Sequence, residues 1–68
     1  MKYKIGDLII WDGGLVIAQI LDITEKKYLY KIINHYYEYL IGHIIRYDKL
    51  KLERMTRTLT DEEKLELL

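Results

Sequence analysis

A chain of 68 residues supplies one domain and buries only about 60% of the surface its unfolded form exposes, so stability depends on dense packing. It contains no cysteine, which excludes disulfides and every zinc site built on thiolates. Half its residues are apolar, and its 11 basic and 11 acidic side chains cancel, so it lacks the basic excess of a phosphate-driven nucleic-acid binder.

Along the chain, Tyr3-Lys4-Ile5-Gly6-Asp7 leads into the β-rich run Leu8-Ile9-Ile10-Trp11. The Gly-Asp pair suits a bend that admits the chain to a first strand, since glycine tolerates positive φ and aspartate bonds nearby backbone. Asp12-Gly13-Gly14 between two β-forming runs predicts a hairpin. A second strand follows over residues 15–23, where apolar residues on both faces blur the alternation. After a polar turn over 22–27, residues 28–33 form a third strand with Tyr28, Tyr30 and Ile32 on one face.

Asn34-His35 reads as a turn and residues 36–41 as a fourth strand, interrupted at Gly42-His43 by a loop or a bulge, after which residues 44–46 resume pairing. Tyr47-Asp48-Lys49 predicts a tight turn or a single turn of 3₁₀ helix. Leu50-Lys51-Leu52-Glu53-Arg54-Met55 alternates apolar and charged, the pattern of a half-buried last strand with Leu50, Leu52 and Met55 inward. Thr60 and Glu63 then have capping-box spacing, with Asp61, Glu62 and Glu63 in the first turn of a short helix. Such a helix is too short to persist without a docking surface. The charge is uneven here: residues 43–57 carry a local +3 and residues 58–68 a local −3, which suits a tail that folds back or simply solvates.

The entry Tyr3-Lys4-Ile5-Gly6-Asp7-Leu8-Ile9-Ile10, the glycine turn, and Val16-Ile17-Ala18-Gln19-Ile20-Leu21-Asp22-Ile23 resemble the first two strands of small SH3-like barrels, the broad KOW-type and Tudor-like group that includes many short phage and bacterial proteins. The resemblance spans about residues 3–52. It implies a mainly β fold: a five-stranded SH3-like barrel over residues 1–57, with a capped helix over 58–68 packed on it or extending from it. It carries no ligand with it. Trp11-Asp12-Gly13-Gly14 stands where KOW-type modules carry basic and glycine residues, a departure from their RNA-binding pattern.

The resemblance also implies binding through rim aromatics, with Trp11 of the first hairpin meeting Tyr36 or Tyr37 of the loop between the third and fourth strands. Such rings can stack on proline-rich or planar groups or hold a cation. The alternative is that they serve as core or cross-strand packing pairs. Arg46, Lys49, Lys51 and Arg54, extended by Arg57, form either a modest phosphate- or protein-binding strip or a charged edge strand that discourages aggregation. Nothing in the spacing of His35 and His43 assembles a metal site. Serine and cysteine are absent and no base is placed to activate a threonine, so an enzyme is not expected. Gly13-Gly14 joins two strands and is followed by no lysine or helix, unlike a phosphate loop.

The expected function is therefore non-enzymatic and without cofactor. The preferred reading is a protein-interaction or structural module whose apolar surface is completed by a protein partner or by self-association, as in a small phage accessory or virion component. Alternatives are a nucleic-acid-binding barrel and an aromatic cage reading peptides or modified lysines. No apolar run approaches the ~20 residues that span a bilayer, and no signal peptide is visible, so neither a membrane nor a small-molecule substrate is expected and the location is cytoplasmic or within a virion. The Ile-, Lys- and Tyr-rich composition, free of serine and proline, resembles translation of an AT-rich genome.

Overall fold

The computed structural model describes residues 2–67. Five antiparallel strands form one open sheet: β1 (Leu8–Trp11), β2 (Ile17–Ile23), β3 (Lys27–Asn34), β4 (Ile44–Asp48) and β5 (Thr56–Thr58), in the order β4-β3-β2-β1-β5. Helix α1 (Lys49–Met55) joins β4 to β5, α2 (Asp61–Glu66) follows β5, and a 3₁₀ turn (Glu38–Leu40) lies between β3 and β4.

The entry and first hairpin form as the sequence predicts. The Lys4 amide donates to Asp7 Oδ2 and the Asp7 amide to the Lys4 carbonyl, both at 3.0 Å, around a Gly6 at φ +93°. In the β1–β2 hairpin Gly14 takes φ +84°, a left-handed geometry that a Cβ disfavours, and its amide donates to the Trp11 carbonyl at 2.8 Å.

The apolar residues that fall on both faces of the first two strands have two physical causes. First, β1 is covered on both faces. Ile9 and Trp11 join the main cluster with Tyr3, Ala18, Ile20, Tyr28, Tyr30, Ile32 and Leu52, whereas Ile10 and Leu8 pack with Ile17 and Leu59 in a second cluster. Second, the β2–β3 register shifts between Ile20 and Asp22, which inserts Leu21 as a bulge. The extra residue re-phases the strand and returns Ile23 to the main cluster.

Two predicted strands are absent. Residues 36–41 form bends and the 3₁₀ turn rather than a strand, leaving Tyr36, Tyr37 and Tyr39 exposed, and the fourth strand is β4. Tyr47 and Asp48 belong to β4 instead of a turn. Residues 50–55 lie in α1, with Leu52 buried, Met55 partly buried and Leu50 66% exposed. A helix of seven residues turns few side chains inward, so the alternating leucines carried no usable period. Lys, Leu, Glu, Arg and Met all favour helix, and both ends are capped. Asp48 Oδ2 accepts from the Lys51 amide at 3.0 Å. At the other end the Thr56 hydroxyl donates to the Leu52 carbonyl at 2.6 Å, and Lys2 Nζ donates to the Glu53 carbonyl at 2.9 Å.

A chain of polar contacts ties the N-terminal segment to α1. The Tyr28 hydroxyl donates to Glu53 Oε2 at 2.5 Å and accepts from the Tyr3 amide at 3.3 Å. The Thr56 hydroxyl proton is committed to Leu52, so the Tyr3 hydroxyl donates to Thr56 Oγ1, 2.7 Å away. Among the described residues every buried side-chain polar atom has a partner.

The predicted capping box is present: the Glu63 amide donates to Thr60 Oγ1, and the Thr60 amide donates to Glu63 Oε1. Arg57 makes a two-pronged contact with Glu63 at 2.7 and 2.9 Å, joining β5 to the acidic first turn of α2. That guanidinium, followed by the Thr60 amide, pulls the Glu63 carboxyl down to about 2. Helix α2 itself contributes no buried residue. Among the described residues, no helix is long and apolar enough to cross a membrane.

Candidate functional site

A groove of about 370 Å³ opens where the β1–β2 hairpin meets the β3–β4 loop. The hairpin supplies Trp11, Gly13 and Val16, β3 supplies Tyr30 and Ile32, the loop supplies His35, Tyr36 and Leu40, and β4 supplies Ile45. Strand parity explains the floor. Tyr30 and Ile32 alternate onto the inner face of β3, and Ile45 is the register partner of Tyr30. Trp11 lies edge-on to Tyr30, with ring centroids 5.4 Å apart. Burial first, and the neighbouring Tyr47 second, push the Tyr30 hydroxyl up to about 12, so it stays protonated at neutral pH. The floor is thus apolar, partly aromatic and uncharged at neutral pH.

The walls are built differently. Tyr36 is 60% exposed and reaches over the hairpin, where a Cβ on Gly13 would sit 3.2 Å from its hydroxyl. Glycine at this position therefore leaves room for the ring. His35 Nδ1 accepts from the Tyr37 amide at 3.0 Å, which fixes the imidazole against the loop. One side of His35 meets Tyr36 edge-on at 6.0 Å, and Tyr37 stacks on it at 5.7 Å. Tyr37 in turn lies 5.8 Å from Tyr39, which is 73% exposed. His35 thus divides the loop aromatics into one ring in the groove and two outside it.

Trp11 and Tyr36, singled out in the sequence, line the same groove, whereas Tyr37 is turned out of it. Arg46 is exposed on β4, while Lys49, Lys51 and Arg54 lie on α1, so they form no strip along a strand. Lys49 Nζ lies 5.8 Å from the centre of the Tyr28 ring, and Arg57 is paired with Glu63. Sequence reasoning missed Gly13, Val16, His35, Leu40 and Ile45 as groove residues. Among the described residues no cluster of three or more histidine or acidic side chains could hold a metal.

Chemically, the groove can take an apolar or planar side chain against Trp11 and the tyrosines. Comparison with known proteins adds no constraint: no protein-family model, curated protein or solved structure matches the chain.

Proposed function

We propose that the chain is a non-enzymatic protein-interaction module with SH3-like barrel architecture, and that it docks an apolar anchor residue of a protein partner in the groove between Trp11 and Tyr36. The barrel reading is supported by connectivity: four strands meander, and β5 returns through α1 to the free edge of β1. The observation that carries the binding reading is the convergence of Trp11 and Tyr36, 25 positions apart in sequence, on one groove with an aromatic floor. Rigid aromatic rings that are partly exposed around a concavity are the usual anchors of protein interfaces.

A nucleic-acid-binding role is the alternative. The exposure of Tyr37 and Tyr39 supports it, while the zero net charge counts against it.

The test is selection of short peptides from a displayed random library, with the binding of each selected peptide to the parent chain and its variants measured by titration calorimetry. Selected peptides are expected to share an apolar anchor residue, and Trp11→Ala or Tyr36→Ala should weaken their binding at least about tenfold, the equivalent of ~1.4 kcal/mol. Amide spectra of both variants should stay folded. Binding indifferent to both substitutions, or a selection that returns no binder, overturns the proposal.

A further inference from the structure

We infer that the chain pairs with a second copy of itself along the free edge of β4, in an antiparallel register centred on Tyr47. Strand β4 ends the sheet, and its backbone directions follow from its pairing with β3. The Ile32 amide donates to the His43 carbonyl and the Lys49 amide to the Lys26 carbonyl, so odd-numbered positions face β3. The amides and carbonyls of Ile44, Arg46 and Asp48 therefore point away from the sheet, the Asp48 carbonyl also taking the first bond of α1 as its N-cap residue.

Natural edge strands are commonly blunted by charged side chains, proline or a bulge. Strand β4 has no proline and its register with β3 is unbroken, and its two charged side chains, Arg46 and Asp48, are of opposite sign, so a second copy can meet them as attraction in one register. The opposite edge, β5, is only three residues long.

Charge chooses the register. Outward-pointing residues must pair with one another across a two-fold axis, which leaves few alternatives. Centring on Arg46 places two arginines face to face, a destabilising arrangement. Centring on Tyr47 instead sets each Arg46 opposite the partner copy's Asp48, on the same face of the extended sheet, twice over. Asp48 can serve both roles, because only its Oδ2 is used to cap α1. The same register brings Ile44, 58% exposed, toward the start of the partner copy's α1, where Leu50 is also exposed. Two apolar side chains that flank the edge and have no place in either core would then cover each other.

This surface goes beyond the groove reading, and a monomeric result would leave peptide binding at Trp11 and Tyr36 untouched. Sedimentation of the full chain over a concentration series tests it, together with amide hydrogen exchange at low and high concentration. The expected result is a mass rising from 8.3 kDa toward twice that value, with the Arg46 and Asp48 amides gaining protection as it rises. Arg46→Asp, which sets like charges opposite each other, should weaken association at least about tenfold, and Arg46→Lys should largely preserve it. A mass that stays monomeric up to about 1 mM, or Arg46 and Asp48 exchange that ignores concentration, overturns the inference. A folded Arg46→Asp variant that dimerises as tightly as the parent also overturns it. The wild-type exchange readout decides the matter should that variant fail to fold.

Discussion

Tyr28 joins three parts of the molecule through a single hydroxyl, which donates to Glu53 of α1 and accepts from the Tyr3 amide. Tyr28→Phe keeps the ring but strands a buried amide, so the expected cost is about 1–3 kcal/mol in urea denaturation. Burial and then the Glu53 bond push the Tyr28 hydroxyl up to about 12, and burial does the same for Tyr30. Because the fold favours the neutral phenol, the stability linked to these raised values is fully present below the ordinary value of 10 and is lost as pH climbs from 10 to about 12. An ultraviolet titration should show Tyr28 and Tyr30 ionising late, together with loss of the fold. Ionisation of Tyr28 and Tyr30 near 10 while the chain stays folded would contradict this assignment.

At the scale of elements, α1 separates the structure from the reading of its sequence most sharply. Leu52 is fully buried while Leu50, two residues earlier, is exposed; a strand would have turned both inward. Leu52→Ala is expected to cost about 2–5 kcal/mol, and Leu50→Ala no more than about 0.5 kcal/mol in the monomer. Equal losses at the two positions would restore the strand. The first three strands were legible because their β-branched runs are bounded by Gly-Asp and Asp-Gly-Gly turns, and the capping box at Thr60 was legible because its chemistry is local. The tyrosine-rich loop was not, since aromatic residues favour strands by packing on neighbours and Tyr36, Tyr37 and Tyr39 find little cover. Helix α1 was hidden for a different reason: Asp48 and Thr56 cap it locally, but its residues alternate apolar and charged as a strand would, and part of its C-terminal cap comes from the distant Lys2.

For the whole molecule, the open sheet brings Trp11 and Tyr36 together because β1 and β3 flank β2, so the end of β1 and the loop after β3 lie at the same end of the sheet. That meeting could be anticipated from the order of strands, but the rest of the groove could not. Gly13 matters by what it leaves empty beside Tyr36, and His35 by a bond to its own loop. Amide chemical-shift mapping with a selected peptide tests the groove most directly. The account expects the largest shifts at the Trp11 indole and at Gly13, Val16, His35 and Tyr36, all abolished by Trp11→Ala in a chain that stays folded. Shifts confined to Lys51 and Arg54 on α1, with the groove unperturbed, would contradict it.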